Sequence, residues 1–172
     1  MTSPIKEWRN TLSKYRPRKI RGAFWFRAVI PSRARTILDI AKSEEYGGRY
    51  NTPGQFGALY LSRTIKGCEE EVKGRPASPK KYVVGKIKVT LEKVCDLTDP
   101  GLLRKLKISK KQLTTKNYLE TRVLGELARD EGFEAILVPS AAGDFNNLVI
   151  FKDQLIGSSR VELMETTPLA LS

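Results

Sequence analysis

Ala135-Ile136-Leu137-Val138-Pro139-Ser140-Ala141-Ala142-Gly143-Asp144-Phe145-Asn146-Asn147-Leu148-Val149-Ile150-Phe151 holds two apolar runs, 135–138 and 148–151, around a turn-rich segment. Short branched and aromatic runs bounded by Pro, Gly and Asn read as buried strands. Ser140 stands where the first strand leaves the core, a frequent place for functional residues. It reads equally as a turn-stabilising serine. Asn147 reads as a brace for the loop, with no catalytic role.

Working outward, Tyr118 to Asp130 is the clearest helix, with Leu119, Val123, Leu124 and Leu127 on one stripe. Leu102 to Leu113 is basic and helical in part. Tyr82 to Val89 alternates as a strand and continues through Val94 to Leu97. Thr64 to Lys73 forms a helix ended by Gly74 and Pro76, and Thr64 and Glu71 share one of its faces. Ala58 to Ser62 is a short apolar strand, and Gly47 to Gly54 is a loop. Phe24 to Ile30 is a buried strand, followed by a helix over 33–41 with Ser32 as N-cap. Residues 5–16 form an amphipathic helix stopped by Pro17, and 17–22 form a basic linker. Residues 159–165 add an edge strand before a loose tail. The expected organisation is therefore 1–22 as basic helix and linker, 23–165 as one domain, and 166–172 as tail. There are no internal repeats.

The 172 residues can bury a core, and their 40% hydrophobic and 29% charged content is that of a globular protein. No apolar run is long enough to span a bilayer. The N-terminus lacks the apolar region of a signal peptide, so cytoplasmic residence is the expectation. The chain has no histidine and two cysteines, Cys68 and Cys95, in no metal-ligand spacing. No metal is expected. The net charge of +12 is uneven: residues 1–35 and 75–116 each carry +9 and the remainder −6. Such a field attracts nucleic acid, a small anion or an acidic protein, or merely aids solubility.

Without histidine, an active site must be built from Arg, Tyr, Glu, Asp, Ser, Thr or Lys. Arg49, Tyr60 and Glu71 stand eleven residues apart, and Ser140 follows downstream. Each has a plainer reading: a loop-bracing arginine, a core tyrosine, one of three solvated helix acids, a turn serine.

Phe26-Arg27-Ala28, Gly48-Arg49-Tyr50-Asn51, Leu59-Tyr60-Leu61, Glu69-Glu70-Glu71-Val72, Gly132 to Ser140 and Asn147 to Phe151 occur in this order. Together they resemble the RES domain family, named for its Arg, Glu and Ser residues, which includes toxins of bacterial toxin–antitoxin pairs. The resemblance implies an α+β fold similar to ADP-ribosyltransferases, with two packed, mainly antiparallel β-sheets and flanking helices. It implies consumption of NAD⁺ and a partner antitoxin with an Xre-like helix-turn-helix domain. The family's residues fall on Arg49, Tyr60, Glu71 and Ser140, and Arg27 matches a recurrent arginine near the family's start. Glu69 and Glu70 compete with Glu71 for the glutamate position.

The chemistry suits a site without histidine. Nicotinamide leaves NAD⁺ as a neutral base from a cationic ring, so no acid need protonate it. The ribose develops oxocarbenium character that a carboxylate stabilises. On this reading Glu71 stabilises that charge, Arg49 holds phosphate with its planar fork, Tyr60 stacks, and Ser140 orients the ribose or nicotinamide. Arg27 joins Arg49, Tyr60 and Ser140 as an NAD⁺-binding residue. The acceptor is water or phosphate. Two alternatives stand beside it. Transfer of ADP-ribose to a protein is not excluded, because Glu69 stands two positions before Glu71. A basic nucleic-acid-binding module is favoured by charge but lacks any recognisable motif.

Overall fold

The computed structural model describes residues 3–75 and 79–171. The strands are β1 (Arg18–Val29), β2 (Leu59–Ser62), β3 (Lys81–Asp96), β4 (Ala135–Pro139), β5 (Asn146–Ile150) and β6 (Arg160–Ala170). All six belong to one sheet in the order β1-β2-β5-β4-β3-β6, and β1 also pairs with β3. Five strands therefore close into a barrel, where two packed sheets were expected. The reason is the length of β3. One edge of this 16-residue strand takes β1 from Val83 to Val94, and the other takes β6 and then β4. Every pairing is antiparallel except β3 with β4. Period-2 alternation sends Trp25, Leu59, Leu61, Ile87, Val89 and Leu148 into one apolar cluster.

Helices pack around the barrel, some against β4 and others against β1 and β2. They are α1 (Pro4–Lys14), α2 (Ala41–Tyr46), α3 (Ile65–Lys73), α4 (Pro100–Leu106), α5 (Lys110–Leu113) and α6 (Leu119–Asp130). Leu124 and Leu127 of α6 pack with Ile136, Val138 and Val149 in a second core. Ser3 caps α1, accepting from the Lys6 N–H, and Pro4 occupies its first turn. Leu12 of α1 lies in the second core, and Trp8 Nε1 donates to Leu106 O at 3.0 Å. The N-terminal helix is thus packed on the same body as the rest.

Three local expectations change. Of the basic segment 17–22, residues 18–22 are strand rather than linker: Arg18 pairs with Val94 across the sheet, and Lys19 Nζ lies 3.0 Å from Glu92. The tail is not loose, because β6 remains hydrogen-bonded to β3 up to Ala170 opposite Lys81. Pro168 is accommodated there because β6 is an edge strand. The helix placed at 33–41 is instead a 3-10 turn over Pro31–Thr36 followed by α2, and Ser32 caps nothing. Pro31 fits the first position of that turn and moves its start ahead of Ser32. Pro76, read as a stop for α3, lies outside the described residues; the helix closes at Gly74.

Candidate active site

Thr64 caps α3, its side chain accepting from the Gly67 N–H at 3.0 Å. That start sets the phase of the helix and so the direction in which each of its three acids points. Glu71 Oε1 accepts from Ser140 Oγ at 2.6 Å and from Asn147 Nδ2 at 2.7 Å. Glu70 pairs instead with Lys73 at 3.6 Å. Two donors on one oxygen fix the carboxylate's position. Ser140 is itself held by the Ala142 N–H at 2.9 Å, and Asn147 by Ser62 Oγ at 3.1 Å.

Asn147 therefore does more than brace its loop. It sits on the carboxylate because β5 pairs it with Ser62 of β2 and Val138 of β4. The available signal was parity: Asn147 lies on the same strand face as Val149, two residues on. Ser62 carried no signal in sequence.

Tyr60, two residues before Ser62 on β2, shares that face. Its hydroxyl donates to Asn51 Oδ1 at 2.8 Å and accepts from the Tyr50 N–H at 3.0 Å. Burial pushes the hydroxyl's pKa well above the ordinary tyrosine range, against the lowering effect of the Tyr50 N–H. Tyr60 lines the cavity while holding the loop that carries Arg49. Tyr60→Phe leaves a buried amide and the fully buried Asn51 without this partner. It is expected to cost about 1–3 kcal/mol in urea denaturation, and an unchanged midpoint would show the hydroxyl to be dispensable.

Arg49 is engaged within the chain. Its Nη1 donates to the carbonyls of Leu113 and Thr115, and its guanidinium lies 4.5 Å from the Tyr118 ring centroid. Arg122 flanks the same ring at 5.4 Å and donates through Nε to Gly48 O at 2.9 Å. Arg49 thus ties the segment before α6 to the glycine loop, as well as placing positive charge on the cavity wall.

Arg27 differs. Its Nη1 is buried and has no hydrogen-bond partner among the described residues. Burial, with Arg33 and Arg75 nearby, drives its pKa down to about 10, so it remains cationic at neutral pH. A buried cationic donor with an open hydrogen-bonding position is a place for an anion. The Cys68 thiol lies close by and is pushed up to about 11, chiefly by burial.

These groups line one cavity of about 640 Å³, a volume suited to a small-molecule ligand. It follows the seam between β1 and β2, which meet at a single pair, Phe26 and Ser62. Arg27, Arg49, Tyr60, Glu71 and Asn147 face it, and Ser140 reaches it through Glu71. The structure brings all five sequence-derived residues to one place. It adds Ser62, Asn147 and Tyr118.

The RES domain matches residues 17–172. The chain belongs to the RES domain family. This RES chain is 29% identical over 131 residues to a probable NAD(+) phosphorylase of Mycobacterium tuberculosis, covering 73% of the chain. It spans 61% of that relative's length. Its fold superposes with a TM-score of 0.83 on a chain of the crystal structure of the M. tuberculosis MbcT-MbcA toxin-antitoxin complex. That match is 20% identical and covers 98% of the RES chain and 94% of the other.

Proposed function

We propose that this RES protein is a toxin that destroys NAD⁺ by cleaving the nicotinamide–ribose bond. The observation that carries the proposal is the Glu71 carboxylate, pinned by Ser140 and Asn147 on the wall of a cationic cavity. Glu71 stabilises the oxocarbenium as the C–N bond breaks and its electron pair returns to the nicotinamide nitrogen. Ser140 and Asn147 hold the carboxylate at the reacting carbon, Tyr60 packs against the bound dinucleotide, and Arg49 supplies positive charge for its phosphates. We read this as an ADP-ribosyltransferase-like way of presenting NAD⁺.

Arg27 favours phosphate over water as acceptor. Its open guanidinium position lies on the cavity wall that Cys68 and Glu71 share, close to where an attacking anion would stand. The relative's name supports the same choice. Phosphate attack gives ADP-ribose 1″-phosphate and nicotinamide; water gives ADP-ribose. Release of nicotinamide by the purified chain tests the reaction, and the sugar product identifies the acceptor. Phosphate should stimulate the wild type by roughly tenfold or more, the worth of a charged hydrogen bond. Arg27→Gln should abolish that stimulation; equal stimulation in both would remove Arg27 from the acceptor site.

Protein ADP-ribosylation is the weaker alternative. Glu69 precedes Glu71 by two residues on α3 and so points about 200° away around the helix axis. It is poorly placed to orient an acceptor at the same carbon.

The toxin reading implies an antitoxin, and an Xre-like helix-turn-helix protein is the expected partner. An acidic segment of it would cover the basic rim or block the Arg49 pocket. Among the described residues no helix is long and apolar enough to cross a membrane. We place the protein in the cytoplasm, where its substrate is, and treat residues 1–22 as part of the RES body.

A further inference from the structure

The rim of the cavity remote from Glu71 carries two aromatic rings that the reaction does not use. Tyr46 ends α2, is 64% exposed, and has Lys42 Nζ 5.2 Å from its ring centroid. Tyr118 precedes α6 and is held by the guanidinium groups of Arg49 and Arg122. Both rings line the cavity. Such rings can offer an apolar face to a ligand while their hydroxyls stay in water.

The long axis of the cavity follows from strand register. Ser62 and Asn147 are paired beside Glu71, and Tyr60 and Val149 form the next pair on that face. Two residues along a strand are about 7 Å. The Tyr60 hydroxyl then meets the backbone of Tyr50, and Gly47, Gly48 and Arg49 lead on to Tyr46 and Tyr118. A dinucleotide with its nicotinamide ribose at Glu71 would therefore run its diphosphate past Arg49 and end its other base between Tyr46 and Tyr118.

We propose that Tyr46 and Tyr118 form a stacking subsite for the purine base of the dinucleotide, making the protein selective for dinucleotides over nicotinamide mononucleotide. Bases stack on aromatic rings and on guanidinium planes, and both are present at this rim. The inference rests on the proposed NAD⁺-cleaving reading.

The test compares NAD⁺ with nicotinamide mononucleotide as substrates. Tyr46→Ala should lower kcat/KM for NAD⁺ about tenfold relative to the mononucleotide, the loss lying in KM, as expected for one stacked base. Tyr46→Trp and Tyr118→Phe should keep the preference, whereas Tyr118→Leu should lose it. Equal losses for both substrates, or no loss with NAD⁺, would overturn the subsite. Calorimetric binding of ADP-ribose decides it without turnover. A Kd raised about tenfold in Tyr46→Ala supports it, while an unchanged Kd, or no binding by the wild type, refutes it. If the wild type binds ADP-ribose in this way but releases no nicotinamide, the cleavage reading fails and the subsite stands.

Discussion

Glu71→Gln is expected to lower nicotinamide release by about 10²–10³-fold, the range for removing a group that stabilises transition-state charge in an enclosed site. The substitution is nearly isosteric, and the Gln carbonyl oxygen still accepts from Ser140 and Asn147. Folding should be retained, so that the loss reports the missing charge. If expression of the wild type arrests growth, as the proposed toxin activity requires, expression of this variant should not. Glu70→Gln is the control on the neighbouring residue, whose carboxylate pairs with Lys73. If Glu71→Gln retains more than a tenth of wild-type release, another group stabilises the ribose cation and the assignment is wrong.

Gly125→Ala is expected to be the most destabilising single methyl in the molecule. Helix α6 crosses the glycine loop so closely that a Cβ on Gly125 would fall 1.9 Å from the carbonyl oxygen of Tyr50. Backbone cannot yield as a flexible side chain can. The added Cβ on Gly67, by comparison, meets the Phe145 ring at 3.0 Å, which can shift. Overpacking typically costs about 1–3 kcal/mol, and this contact is at the upper end or beyond. For a chain of this size that is a fall in Tm of roughly 6–12 °C. The displaced residue is Tyr50, between Arg49 and Asn51, so KM for NAD⁺ should rise as well. An unchanged Tm in thermal denaturation would mean that α6 does not pass over the loop as described.

Local patterns revealed much of the architecture. The runs 135–138 and 148–151, the stripe of α6 and the cap-to-glycine span of α3 all announced themselves through periodicity and punctuation. Elements stabilised from a distance did not. Residues 18–22 are basic and resemble a linker, yet β3 supplies their hydrogen-bond partners about seventy positions away. The end of β6 is polar and contains Pro168, and only an edge position on β3 makes it strand. The closure of one sheet into a barrel likewise depends on which edges β3 offers.

The site divides along the same line. The residue types were decided by sequence alone: with no histidine, the chemistry had to rest on a carboxylate, arginines and hydroxyls, and the order of motifs pointed to Arg27, Arg49, Tyr60, Glu71 and Ser140. Which glutamate is held at the cavity depended on tertiary structure, because three adjacent acids differ only in helix phase until Ser140 and Asn147 meet one of them. Tertiary structure also divided the two arginines. Arg49 is occupied by carbonyls from a segment more than sixty residues away, while buried Arg27 has a donor without a partner among the described residues. Composition sets what chemistry a chain can perform, but a hydrogen bond's direction and a charge's burial exist only once distant segments are packed together.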